Sequence, residues 1–534
     1  MGITVRIMKK FFRIFITCCS VFVAGLFIIA CSNSEDLLEE RVNTKSDKFT
    51  MTVNATKGSI EDMTRALQLS GDGKTINATW SATNNEKVFV KAADGWFEGS
   101  LTPQTDGASA KLKGTISGQT VSAGDKITLL FPRKEIDFTG QDGTLETIAQ
   151  KYDYATAQDI EVLSVENGTI TTADATFYNN KQNIVKFTLI DKSTGAPINA
   201  THLTITEKNT GNGDPSDALA LTRDGSTVLS SGDLELTLNG STNVVYTAIS
   251  YIWSPYGTPR MTLTATYGGN TYMYVNNNIT FSNAARYYDV TVKMLKYPIE
   301  LSAVTSDYVG SVIGSDGKVY IDVVSALAAG TKASAIIAYV GNDTGDADYK
   351  HGLAIAMKDA SGGTQWNTIG DSPNDNPAAY STIAEALAAK ESGRALSSGR
   401  NTDSWPSFKT AYNNSINCVN YGDKPSSGCS EWFLPSIFQW NQIARGLTGE
   451  TADFTDSAND DYKANNVNKK ILRALSALLQ SSGHQFENNS TYKYLASSSE
   501  KASSYIWVYD IYDGNACSEG KSSAWPRVRA VFAF

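Results

Sequence analysis

Histidine is scarce: 534 residues contain three, His202, His351 and His484, far apart in the chain. Metal centres and proton relays built on imidazole need such side chains in groups, so a histidine-based metal site or a Ser-His-Asp arrangement is not expected. Positive charge is short as well. Lys and Arg number 46 against 55 Asp and Glu, the net charge is -9, and no basic run follows the first fifteen residues. Nucleic-acid binding concentrates Lys and Arg against phosphate, so nucleic acid is not expected as a partner. Beyond the N-terminus no segment offers the 18 or so consecutive apolar residues of a membrane helix. What is present suffices for packed cores, at 41% apolar and 10% aromatic. The length corresponds to about three or four domains.

Four bases, Arg6, Lys9, Lys10 and Arg13, precede an apolar stretch over residues 14–30. A basic head and a short apolar run make a secretory signal, here residues 1–30. Its end, Ile28-Ile29-Ala30-Cys31, resembles the bacterial lipobox, which implies acylation of Cys31; the alternatives are a plain signal peptide or a membrane anchor. Acyl chains tether a soluble chain because each buried methylene contributes about 0.8 kcal/mol. Residues 31–48 form an acidic tether that opens Ser32-Asn33-Ser34-Glu35-Asp36 and includes Glu39 and Glu40. It resembles the surface-export signal of lipoproteins in gut and oral anaerobes, which implies a lipid-anchored location on the outer face of the outer membrane.

Residues 49–298 carry β signals almost throughout. Short runs of Val, Ile, Thr, Leu and Tyr alternate with Gly, Asn and Asp turns at roughly ten-residue spacing, the texture of β-sandwiches. Leu234, Leu236 and Leu238 alternate up to Asn239-Gly240, and Val245, Thr247 and Ile249 follow, which predicts a hairpin because both turn positions tolerate positive φ. Met261, Leu263, Ala265 and Tyr267 lead to Gly268-Gly269 and a return strand. The polar stretch 191–197, with Gly195 and Pro197, suggests a break, giving antiparallel sandwiches over 49–192 and 193–298.

Several strings in this span resemble fimbrillin-like pilus lipoproteins of Gram-negative anaerobes. They are Met63-Thr64-Arg65-Ala66-Leu67, Ala78-Thr79-Trp80-Ser81-Ala82, Lys87-Val88-Phe89-Val90, Tyr152-Asp153-Tyr154-Ala155-Thr156-Ala157, Ile184-Val185-Lys186-Phe187 and Arg286-Tyr287-Tyr288-Asp289-Val290. The resemblance implies two sandwich domains and processing by a trypsin-like protease that frees an N-terminal strand. The vacated groove then accepts a strand from another fimbrial subunit, as strand addition to an open sheet edge. By position the processing residue is Arg65, with Arg41 and Lys57 as rivals.

After Pro298 the texture changes. Residues 307–320 predict two short strands around Ser315-Asp316-Gly317. Thr382-Ile383-Ala384-Glu385 and Ser436-Ile437-Phe438-Gln439 are capping boxes, so helices begin at Ile383 and Ile437. In the second, Ile437, Trp440, Ala444 and Leu447 fall on one face, which assigns Trp440 to a core. A third helix is predicted over 467–480, ended by Gly483. Trp432-Phe433-Leu434-Pro435-Ser436 with Gln439-Trp440-Asn441, then Tyr494-Leu495-Ala496-Ser497-Ser498-Ser499-Glu500, Trp507 and residues 527–534, resembles C-type-lectin-like modules related to the formylglycine-generating-enzyme fold. Leu495 and Ala496 stand where the pattern has Trp-Ser. The resemblance implies an α+β module over 305–534 that binds a host or bacterial glycan or protein.

Cys418, Cys429 and Cys517 accompany Cys31 in the exported chain. An odd set of three suggests one disulfide, with Cys418–Cys429 the shortest loop and Cys517 an alternative partner for either. Nothing beside these thiols marks a reactive cysteine. The acidic run 342–348 lacks the order of ligands and glycine of a calcium loop and reads as a solvated loop. No cofactor and no catalysis are expected. The expected function is that of a fimbrial tip or accessory subunit or adhesin, and the alternative is a surface glycan-binding lipoprotein that never polymerises.

Overall fold

A computed structural model of the chain describes residues 48–57, 65–69, 76–178, 182–209, 220–224, 227–250, 259–276, 287–369, 379–417, 422–449, 451, 453–455, 494–511 and 514–534. Cys31, Arg41, Cys418 and the helix expected over 467–480 lie outside these residues. Alternation decides most of the rest, and the fold is mainly β.

The first core is built on one mixed sheet of nine strands. Strand β1 (Phe49–Lys57) is followed by β2 (Arg65–Leu69), which pairs with Ile76–Ala78 in a small separate sheet. Strand β3 (Ser109–Ser117) flanks β1 antiparallel, with Phe49 opposite Ile116 and Thr56 opposite Ser109. On the other side lie β4 (Thr169–Thr172) and β5 (Ala175–Phe177), both parallel to β1. These parallel ladders correct the expectation of a purely antiparallel sandwich. The two ends of the sheet also meet: Val88 and Leu101 exchange both backbone hydrogen bonds at 2.8 Å. This single bridge curls the sheet round its core into a barrel, with the short strand Gly95–Trp96 at one end of its order. Met51, Val53, Leu101, Leu112, Val162 and Phe177 fill the interior.

The second core lies under a seven-stranded sheet. Strand β6 (Gln182–Asp191) runs parallel to β7 (Tyr287–Tyr297) and antiparallel to Val244–Ser250. The stretch 191–197, where the sequence suggested a break, is a tight turn joining β6 to Ala200–Asn209 of the same sheet, with the Gly195 N–H donating to the Asp191 carbonyl at 2.8 Å. Residues from before β6 enter this core too. Phe138, Ile148, Tyr152 and Tyr154 pack in it, and the buried Gln141 amide bonds both the N–H and the carbonyl of Ala248 at 2.7 and 2.8 Å.

The Gly268-Gly269 hairpin forms as expected, with Tyr267 opposite Asn270. The Asn239-Gly240 hairpin does not. Leu234–Thr242 and Val244–Ser250 lie at opposite ends of the seven-stranded order. The positive φ of Gly240, 82°, serves an irregularity inside one strand, where the pairing shifts register between Ala200 and His202. An Asn-Gly pair supplies a backbone conformation, and bulges use the same conformation as hairpin turns.

From Ile299 a six-stranded sheet begins, with Val312–Gly314 and Ala333–Val340 at its centre and Gly352–Ala356 next in order, and a three-stranded sheet follows. The strands around Ser315-Asp316-Gly317 pair as predicted. Both capping boxes form: Thr382 with Glu385 opens α1 (Ile383–Ala389), and Ser436 with Gln439 opens α2 (Ile437–Thr448). Helix α2 packs so closely on the sheet that a Cβ at Gly446 would stand 2.2 Å from the Ala338 carbonyl oxygen. Strand β8 (Val531–Ala533) pairs with Gly352–Ala356 on one side, and Val531 exchanges backbone bonds with Phe433 at 2.9 and 3.0 Å on the other.

The aromatic segment is structural. Trp432, Phe433, Leu434, Ile437, Phe438 and Trp440 are all buried, with the Trp440 indole donating to the Ala496 carbonyl at 3.0 Å. The buried surface of α2 is wider than the predicted stripe, because Gln439, Asn441 and Gln442 are buried too. The Gln439 side chain accepts from the N–H groups of Gly393 and Ser436 at 2.9 and 3.1 Å and donates to the Thr344 carbonyl at 2.9 Å. Gln439→Ala strands three buried backbone groups, so we expect a loss of about 2–4 kcal/mol in chemical denaturation. A loss below 0.5 kcal/mol, taken as roughly the scatter of surface changes, would contradict this.

Candidate functional site

Strand β1 reads FTMTVNATK, and its alternation assigns Phe49, Met51, Val53, Ala55 and Lys57 to one face. All five are buried. The outward residues are held at the surface: Asn54 Nδ2 donates to Asp174 at 3.0 Å, and the Thr56 and Ser109 hydroxyls bond at 3.0 Å. The inward face is thus a ladder of four apolar side chains ending in a cation.

That cation is boxed in. Lys57 Nζ donates to the Thr79 carbonyl at 2.9 Å, lies 3.5 Å from each Glu86 carboxylate oxygen, and sits 4.3 and 4.4 Å from the ring centres of Trp80 and Phe131. The Lys57 side chain is 1% exposed and that of Glu86 9%. Trp80 also holds the strand itself, its indole N–H donating to the Ala55 carbonyl at 3.2 Å, and it meets Phe131 and Phe177 edge-on. Burial pushes the Glu86 carboxyl above its ordinary value, opposed by Lys57 and the Ser81 N–H, while nearby Asp153 adds to the rise. A buried lysine held by a carboxylate and two ring faces is a closed cation site.

These positions bear on the processing residues. Arg65 opens β2, with its backbone opposite Ala78. Lys57 has its whole side chain inside the barrel, which withholds it from the side-chain pocket of a trypsin-like protease. Cys429 is buried, its thiol donating to the Pro425 carbonyl at 3.4 Å, and burial pushes its pKa up. Cys517 is half-buried on Asn515–Gly520.

The acidic loop 342–348 is not free in solvent. Asp346 is buried and receives Arg394 Nε and a second guanidinium nitrogen at 2.7 and 3.0 Å, with the Ser392 hydroxyl at 3.0 Å. Arg394 also pairs with Asp348, and Lys390 with Asp343 at 2.9 Å. Among the described residues no group of three or more His, Cys, Asp or Glu is placed to hold a metal ion. Because Arg394 and its neighbours occupy both Asp346 oxygens, we expect calcium to leave the melting temperature unchanged; a calcium-dependent rise lost in Asp346→Asn would contradict this.

Burial alone would raise the Asp346 pKa. Hydrogen bonds from Arg394 and from the Asp348 and Tyr349 N–H groups outweigh it and hold the carboxyl below its ordinary 3.8. A depressed carboxyl contributes stability above the unfolded value, and the contribution is lost as pH falls through the folded one. Asp346→Asn is therefore expected to be less stable than the unaltered chain at pH 7, with the gap closing below pH 3.8 in denaturation series.

Sequence reasoning named Lys57 only as a cleavage rival and missed its box. The signal was present: an alternating apolar run whose next inward position is a lysine.

No family model matches the chain, and no curated protein matches it. Among solved structures it is similar to a fimbrial protein from Bacteroides ovatus ATCC 8483, at 11% identity and TM-score 0.28, covering 92% of this chain and 100% of that one. A fimbrial assembly protein from Parabacteroides distasonis ATCC 8503 follows at 12% identity and TM-score 0.24, covering 46% and 90%. The streptococcal ancillary pilin stands at 9% identity and TM-score 0.19, covering 47% and 70%. At TM-scores this low the likeness decides neither fold nor function, and the reading below rests on this chain's own residues.

Proposed function

We propose that this chain reaches the cell surface as a lipid-anchored precursor and that, once cleavage at Arg65 has released the lipidated N-terminal piece with β1, it receives a strand from a fimbrial subunit in place of β1 and presents its C-terminal module to a ligand. In the precursor Cys31 carries the acyl chains and residues 31–48 form the tether, and cleavage at Arg65 separates this lipidated piece, β1 included, from the barrel. The observation that carries this reading is the contrast between the two outermost described strands. β1 is a self-contained apolar wedge between β3 on one side and β4 with β5 on the other. β8 is already held on both sides, by Gly352–Ala356 of its sheet and by a backbone bridge to Phe433, with Phe534 bonded to Gly352 in both directions at 3.0 Å. A chain that takes a strand without giving this one stands at a tip or accessory position. The module over 305–534 acts as a C-type-lectin-like contact domain for a glycan or protein.

Co-purification tests it. The chain is mixed with fimbrial subunits before and after cleavage at Arg65, and association is expected only after cleavage. No association in either state would favour the alternative, a surface glycan-binding lipoprotein that does not polymerise. The pairing of β1 on both flanks in the uncut chain is the observation on that side, since it leaves no open edge there.

A further inference from the structure

We infer that the slot under β1 selects its incoming strand by charge: the strand that fits carries a lysine at the register of Lys57, after alternating apolar residues. This rests on the strand-replacement reading above and deepens it.

The four groups named around Lys57 stay with the barrel when β1 leaves. Thr79, Trp80, Glu86 and Phe131 all lie beyond Arg65 in the chain. Without Lys57, the Glu86 carboxylate keeps the Ser81 N–H at 3.1 Å and loses its cation, while Asp153 remains as a second buried carboxylate nearby. An uncompensated buried charge is strongly unfavourable, and an apolar side chain in the box leaves that charge in place. A lysine restores the carbonyl bond, the ion pair and the two ring contacts together. Selection acts elsewhere along the slot by size. Ala55 sits where the Trp80 indole crosses the strand and bonds its carbonyl, so the fourth inward position takes a small residue. The partner is thus a strand of pattern aromatic, apolar, apolar, small, lysine at alternate positions.

The test uses the full chain with a specific protease site placed within residues 58–64. After cutting and displacement of the native strand, three labelled peptides are added: that of β1, the same peptide with Lys57→Met, and one with inward and outward residues exchanged. We expect the β1 peptide to bind, the Lys57→Met peptide to bind at least about tenfold more weakly, and the exchanged peptide not to bind. On a Glu86→Gln barrel the gap between the first two is expected to narrow. If that variant does not fold, the comparison on the unaltered barrel decides alone. Equal binding of the lysine and methionine peptides would overturn charge selection while strand replacement stands. Failure of all three peptides would overturn strand replacement and this inference with it.

Discussion

Val53→Asp is expected to unfold the first barrel. Val53 is 1% exposed at the middle of β1, opposite Leu112 on β3. Losing its burial costs about 1.5–3 kcal/mol. Placing a carboxylate in the apolar cluster with Met51, Leu112 and Val162 adds several more, because a buried charge without a partner is costly. The sum is a large share of the roughly 5–15 kcal/mol that holds a domain together. Thr52→Asp, one position along and facing outward, is expected to change stability by no more than about 0.5 kcal/mol. Thermal unfolding followed by near-ultraviolet circular dichroism distinguishes the two. Equal melting temperatures for both variants would mean that β1 does not hold the barrel together.

Phe532→Ala is the second large effect. The ring is fully buried and meets Trp432 edge-on with centres 4.9 Å apart, and Ala354 lies opposite it in the ladder. Truncating a phenyl ring in such a site costs about 3–5 kcal/mol. The value also discriminates between roles. A terminal strand held ready for a neighbouring subunit would rest loosely on its own sheet, and its truncation would cost little. Denaturant titration of the purified chain reads the difference directly, and a cost under about 1 kcal/mol would remove the argument for a tip or accessory position.

How far the sequence reaches differs by element. Features set by residues within a few positions were legible. The two capping boxes, the Gly268-Gly269 turn and the strands around Asp316 depend on local hydrogen bonds and backbone preference, and all are present. Trp440 was assigned to a core by helical spacing, and it is there. Long-range choices were not legible. The Asn239-Gly240 pair fits a hairpin and a bulge equally, and the choice was made by Ala200–Asn209 pairing with Leu234–Thr242. The turn at 191–197 resembled a domain break because a surface turn and a linker share polar residues with Gly and Pro.

The polar side of α2 was missed for a related reason. Helical spacing singled out only the apolar stripe, and loops from elsewhere in the chain bring carbonyls, an N–H group and a carboxylate to Gln439, Asn441 and Gln442. Periodicity sees polarity and cannot see the partner. Lys57 escaped in the same way. A lysine at an inward position looks like the end of a strand until Trp80, Glu86 and Phe131 close around it.

Amide hydrogen exchange across β3, β4 and β5 tests the exchangeable-strand reading most directly. In the uncut chain these strands are expected to be protected. After cleavage at Arg65 and removal of the N-terminal piece their amides should exchange rapidly, and adding the nine-residue β1 peptide should return the protection. Protection that persists undiminished once residues up to 65 are gone would contradict it, because the barrel would then stand without the strand proposed to be replaced.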